Sequence, residues 1–378
     1  MTAIDLVRGE IARRGPIPFD EVVAAALYDP DGGFYATGGA AGRGGGDFIT
    51  SPETGPLYGV VVAGALDAWW RDLGEPDPFV AVDAGAGPGT LARTVLAARP
   101  ACAPALRYVL VERSAAQRQR HADRLRLDDP AFAFAPVDPD VEAPPTLRGQ
   151  GPIVVSLAEL PRVAGPVVIL ANELLDNLPF GLAERADSGG WREVLVGAND
   201  DGDLVEVLVP ASPEQSAELD RLAPDALPGA RVPVQHAARR WLRDALALAA
   251  DGGRVVAIDY CTTTSQASQR PQEEWLRTYR EHQRGAAPLD RLGAQDITCE
   301  VAVDQLALVR APTSNTAQGA WLRAHGIDDL VAEGKQLWEA NAANPDVAAL
   351  TARSRSSEAA ALLDESGLGA FRVLEWLT

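Results

Sequence analysis

Four groups of residues have the types and spacing to do chemistry. The first is the run Asp83-Ala84-Gly85-Ala86-Gly87-Pro88-Gly89-Thr90, which follows the apolar stretch Phe79–Val82 and precedes a helical pattern from Leu91. Glycines in a strand-to-helix turn permit positive φ and let a ligand approach the backbone closely. The second is Glu112, at the end of the next apolar run, Leu106–Val111. An acid at that strand end accepts hydrogen bonds from ribose hydroxyls in nucleotide-binding folds. The third is Asn172-Glu173-Leu174-Leu175-Asp176, just past the apolar run Val167–Leu170. Two carboxylates three positions apart can share one side of a turn or helix start. There they suit a cationic group and a departing proton, and they equally suit capping of the following helix. The fourth is Asp47, Thr50 and Ser51, polar groups at the end of a glycine-rich stretch. They could close over a bound ligand or form a rigid turn ending at Pro52.

The spacing of the glycine turn discriminates between ligands. A dinucleotide fingerprint needs a third glycine at position 90, which is Thr90. The order is D-x-G-x-G-x-G, the pattern of class I methyltransferases, which bind S-adenosylmethionine. That ligand has no pyrophosphate to seat on a helix N-terminus, but it carries an amino acid tail and a ribose. The cofactor set expected from this reading is Asp83 for the tail amine, the turn Gly85, Gly87, Gly89 and Thr90, Glu112 for the ribose, and Asp47 and Thr50 from the lid. The catalytic set is Asn172, Glu173 and Asp176.

The elements that must position these groups read as alternating β and α. Buried strands are expected at Phe79–Val82, Leu106–Val111, Ile153–Leu157, Val167–Leu170 and Arg254–Ile258. Helices are expected at Phe19–Leu27, Leu57–Leu73, Leu91–Ala98, Ala237–Ala250 and from Ser114. Trp191–Pro210 alternates around Asn199–Gly202 and predicts a β-ribbon, while Asp128–Gln150 and Thr262–Gln272 read as irregular. Beyond these the chain reads as mostly helical, with strands near Ile297–Val303 and Phe371–Leu374. The fold class is therefore α/β: a Rossmann-like class I methyltransferase sheet, an N-terminal helical and lid segment (1–58), a core over 59–261 carrying the ribbon, and a mostly helical C-terminal region (262–378).

Composition bounds the rest. The chain has 378 residues, 34 basic against 53 acidic, for a net charge of −19. That field disfavours nucleic acid and anionic lipid and keeps a protein soluble. Three scattered cysteines (Cys102, Cys261, Cys299) and four histidines without ligand spacing suggest neither a disulfide framework nor a metal site. The first residues lack the apolar core of a signal peptide, and no apolar run reaches membrane-spanning length. A reducing, cytoplasmic setting is expected.

Further segments carry a family resemblance over nearly the whole chain. Gly46-Asp47-Phe48-Ile49-Thr50-Ser51-Pro52-Glu53 and Asn172-Glu173-Leu174-Leu175-Asp176-Asn177-Leu178-Pro179 are the most specific. Leu27-Tyr28-Asp29-Pro30, Gly33-Phe34-Tyr35, Val111-Glu112-Arg113-Ser114, Asp259-Tyr260, Asp296-Ile297-Thr298 and Gln318-Gly319 accompany them. With these the chain resembles the MidA family of class I methyltransferases. Cys261 stands where that family usually has glycine, and Asn177 replaces a usual small residue. The resemblance implies S-adenosylmethionine as cofactor and an arginine side chain of a partner protein as methyl acceptor. Two other readings accompany it: a small-molecule oxygen or nitrogen acceptor, and a non-catalytic assembly factor with a structural cofactor. Oligomeric state is not readable from the sequence.

Overall fold

The structure, a computed structural model, describes residues 2–39, 50–134, 148–163, 165–281 and 283–378. Asp47 of the expected lid and most of the irregular stretch 128–150 fall outside these residues.

Short, largely apolar and buried runs form the five parallel strands of a central sheet, and two less buried strands complete its edge. They are β1 (Phe79–Ala84), β2 (Leu106–Val111), β3 (Ile153–Leu157), β4 (Val167–Asn172), β5 (Arg254–Asp259), β6 (Ser314–Ala317) and β7 (Arg372–Leu377). Their order in space is β3-β2-β1-β4-β5-β7-β6. The first five are parallel, while β7 runs antiparallel to both β5 and β6. The period-two alternation feeds two cores. Phe79 and Ala81 point to the side packed by helices Pro56–Asp72, Thr90–Ala97 and Val347–Leu362. Val80, Val82 and Ala84 point to the side packed by helix His236–Leu248.

From β1 the chain steps outward through β2 and β3, then returns to build β4 and β5 on the other side. The crevice between the carboxyl ends of β1 and β4 is thus the topological switch point, where open α/β sheets bind ligands. Asp83 and Asn172 stand at its two rims.

A second, five-stranded sheet holds the expected ribbon as strands Trp191–Ala198 and Leu204–Pro210. Ile17 and Pro18 pair with Val196 and Leu195 of the first ribbon strand. Helices Ala3–Arg14 and Phe19–Tyr28 pack on this sheet and on the three-stranded sheet containing Leu276–Arg280 and Asp296–Cys299. That packing carries Tyr28 and Tyr35 to the crevice. The stretch Thr262–Gln272 is more regular than its composition suggests. Thr263 and Gln266 form a capping box that starts helix Thr264–Ser268, and Cys261–Thr262 pairs with Val301–Ala302. Serine and threonine favour helix starts for the same reason that they resemble loop residues: their hydroxyls satisfy free backbone N–H groups. No described helix is long and apolar enough to cross a membrane.

Candidate cofactor and acceptor site

The glycine turn leaves β1 with φ of +73° at Gly85, +53° at Gly87 and +80° at Gly89, and helix Thr90–Ala97 follows. Side-chain-bearing residues rarely hold these angles. A Cβ on Gly85 would press Leu174 at 2.9 Å, whereas one on Gly87 meets nothing within 4 Å. Gly87 therefore presents bare backbone to open space. Above it lies a cavity of about 880 Å³, lined in part by Thr50, Glu53, Asp83, Thr90, Glu112, Asn172 and Glu173.

Glu112 is fixed by two backbone donors. The Gly87 N–H reaches Oε2 at 2.9 Å and the Ser114 N–H reaches Oε1 at 2.7 Å. Each oxygen keeps acceptor capacity, as two vicinal ribose hydroxyls require. Burial raises the Glu112 carboxyl above its ordinary range, and the two N–H donors oppose that rise. Asp83 is 3% exposed and accepts the Tyr108 hydroxyl at 3.1 Å. Burial pushes its carboxyl up to about 7. An open turn, a pre-set acid and a cavity of this size fit a nucleoside with an amino acid tail.

At the end of β4 the Tyr58 hydroxyl donates to Asn172 Oδ1 at 2.6 Å, and Asn172 Nδ2 donates to Glu173 Oε1 at 3.2 Å. The Ser51 N–H reaches the same Glu173 oxygen at 3.0 Å, tying the lid segment to β4. Glu173 holds φ of +52°, with its own N–H on the Ile258 carbonyl at 2.8 Å. A non-glycine residue in that region stores strain of about 1–3 kcal/mol, and such residues cluster at functional sites. Burial, then the nearby Asp176, push the Glu173 carboxyl up to about 8; the Ser51 and Asn172 donors pull the other way.

Asp176 takes a different place from Asn172 and Glu173, which line the cavity. It is buried behind the wall, where Oδ2 accepts the Tyr260 and Thr298 hydroxyls. Its Oδ1 is buried without a hydrogen-bond partner. Two more acids surround it. Asp259 accepts the Leu175 and Asp176 N–H groups at 3.0 and 3.3 Å. Asp296 accepts the Tyr35 hydroxyl at 3.1 Å and Asn177 Nδ2 at 3.0 Å, and burial pushes it up to about 7. Among the described residues no lysine or arginine pairs with any of these four acids. Tyr28 and Tyr35, stacked with centroids 5.6 Å apart, line the cavity, and the Tyr35 hydroxyl reaches Asp296.

The profile of a family described as "Putative S-adenosyl-L-methionine-dependent methyltransferase" matches residues 61–320. The chain belongs to this methyltransferase family. A protein from Burkholderia thailandensis, solved with S-adenosyl-homocysteine bound, superposes with a TM-score of 0.78 at 26% identity, covering all of this chain and 92% of that one. The Drosophila melanogaster protein named as a mitochondrial protein arginine methyltransferase NDUFAF7 homolog is 32% identical over 205 residues, 52% of this chain and 45% of that protein. The Rattus norvegicus protein of that name is 27% identical over 340 residues, 84% of this chain and 73% of that protein. The chain thus spans about half the length of the first of these relatives. The family membership implies S-adenosylmethionine as the cofactor.

A residue that sequence reasoning missed holds the turn in place. His121, fully buried, sets Nε2 at 2.7 Å from the Gly87 carbonyl and Nδ1 at 2.8 Å from Ser156 Oγ. A carbonyl only accepts, so Nε2 carries the proton and Nδ1 accepts the serine hydroxyl. Burial lowers the His121 pKa and favours this neutral ring. No sequence signal links His121 to the turn, because 34 residues separate it from Gly87. His121→Ala strands a buried carbonyl at a cost of about 1–3 kcal/mol. It should weaken S-adenosylhomocysteine by about 10-fold in calorimetry. His121→Gln, which restores a donor, should recover most of the loss. Wild-type affinity in the alanine variant would remove His121 from the site.

Proposed function

We propose that the chain is a protein arginine methyltransferase, with the cavity between β1 and β4 holding cofactor and acceptor together. The observation that carries this reading is the set of buried acids at Glu173, Asp176, Asp259 and Asp296, none paired to a described cation, with Glu173 in the cavity lining and the other three packed outside it. Burying carboxylates costs free energy unless a cation or hydrogen bonds compensate. A guanidinium is planar, always charged and forks onto carboxylates in pairs, so it matches such a site. The names of the fly and rat relatives support the same acceptor.

When bound, S-adenosylmethionine supplies an electrophilic methyl group on a sulfonium. The chain's own residues then have three tasks. Glu112 and the glycine turn hold the nucleoside. Tyr28 and Tyr35 line the cavity as an aromatic wall against which the acceptor's stem can pack, with Arg113 stacked over the Tyr28 ring. Glu173 accepts hydrogen bonds from one guanidinium nitrogen, localises charge on the others and takes the departing proton at its carboxylate. Asp176, held behind Glu173, favours a cation at the same point through its field. Alignment of the two reactants contributes roughly 7–11 kcal/mol. The three free cysteines favour a reducing compartment for this chemistry, the cytoplasm.

The test is mass spectrometry of proteins from cells with and without the gene, after incubation with purified enzyme and cofactor. Methylarginine on a protein product is the expected result. A methylated small molecule with no protein product would transfer the site to another acceptor class.

A further inference from the structure

One charged group in the cavity has no role in the scheme above. Glu53 lies in the short turn Ser51–Glu53 and lines the cavity beside the glycine turn. Thr90 donates its hydroxyl to Glu53 Oε1 at 2.5 Å and accepts Arg124 Nη1 at 2.7 Å. A hydroxyl has a single hydrogen, so the chain runs one way, from Arg124 through Thr90 to Glu53. This fixes the carboxylate against the first residue of helix Thr90–Ala97, whose N-terminus favours negative charge. The turn is anchored at its other end by the Ser51 N–H on Glu173 and by Ser51 Oγ with Gln318. Glu53 therefore sits on a short, doubly tied segment between the glycine turn and the end of β4.

The cofactor's methionyl tail must occupy that interval. Glu112 marks the ribose end, and Glu173 marks the end where the methyl group meets its acceptor. The tail carries one ammonium, which needs acceptors. Asp83, the sequence's candidate for that amine, already accepts Tyr108 and is 3% exposed. Glu53 likewise spends one lone pair, on Thr90, but it is only part-buried and its remaining lone pairs face the cavity.

We infer that Glu53 is the carboxylate that binds the α-ammonium of the cofactor's amino acid tail. The short turn Ser51–Glu53 is thus a cofactor clamp. This inference rests on the methyltransferase family membership and is independent of the acceptor's identity.

The test compares two ligands by calorimetry on the full chain: S-adenosylhomocysteine, and its deaminated analogue, which keeps the carboxylate. Glu53→Gln should weaken S-adenosylhomocysteine by about 10- to 100-fold and leave the analogue within about 2-fold. Glu53→Asp, which keeps the charge one methylene short, should fall between and serves if the glutamine variant does not fold. An equal loss for both ligands would mean that Glu53 acts only through the fold. No loss for either would place the ammonium elsewhere, and both results overturn the inference. Because no acceptor is present in the assay, failure of the arginine reading leaves the ligand ratio unchanged.

Discussion

Glu173→Gln should lower kcat for methyl transfer by about 10²- to 10⁴-fold, the usual worth of a positioned proton acceptor, while S-adenosylhomocysteine affinity holds. The side chain keeps its shape, so Ser51 and Asn172 retain an oxygen to donate to, and only the proton-accepting carboxylate is lost. The wild-type pH profile should carry the same signature. In the free enzyme burial holds the Glu173 carboxyl near 8. Below that pH it is protonated and cannot take a proton from the acceptor, so kcat/KM should climb as pH rises through about 8. A bound guanidinium stabilises the carboxylate, so the limb in kcat should lie at lower pH than the limb in kcat/KM. The variant should lose both limbs. Undiminished turnover in Glu173→Gln would remove this residue from the chemistry. Full complementation in cells by a variant without turnover would instead favour the non-catalytic assembly role.

The second large effect falls on the cofactor alone. Gly87→Val should reduce S-adenosylhomocysteine affinity by about 100-fold or more, roughly 3 kcal/mol. Two causes act together. Valine at φ of +53° strains the backbone, and the new side chain fills the open space that Gly87 leaves beside the cavity. Because a Cβ there meets no protein atom within 4 Å, the fold should survive, with the damage confined to binding. Gly85→Ala is the contrasting control. Its Cβ collides with Leu174 at 2.9 Å, so its loss should appear in thermal stability as well as affinity. Unchanged binding in Gly87→Val, measured by calorimetry on folded protein, would show that the turn is not the cofactor site.

The two variants probe features that differ in how legible they were. The turn was readable because its causes are local. Positive φ at positions 85, 87 and 89 demands glycine, and an apolar run before it and a helical pattern after it define strand and helix. Glu112 was readable for the same reason, as the first polar residue after a buried strand. Asn172 and Glu173 lie at the cavity because they end β4 at the switch point, a position set by strand order. Sequence spacing put Asp176 on the same side as Glu173, as in a helix. The left-handed Glu173 and the single 3-10 turn Leu175–Asn177 instead send Asp176 behind the wall, onto Tyr260 and Thr298.

What only the tertiary structure decided is partnership and burial. His121 meets Gly87 across 34 residues, Ser51 meets Glu173 across 122, and Tyr35 meets Asp296 across 261. The raised carboxyls of Glu173, Asp83 and Asp296 follow from desolvation, which depends on every element packed around them. The amino-acid sequence by itself determined the turn, the five parallel strands and the cofactor class, because backbone angles and hydrophobic period are written in neighbouring residues, but it missed the less apolar strands Gly181–Arg185, Arg231–Val234, Leu276–Arg280 and Ser314–Ala317. It left the electrostatics of the acceptor end to the fold, because a carboxylate's proton affinity is set by atoms brought near in space.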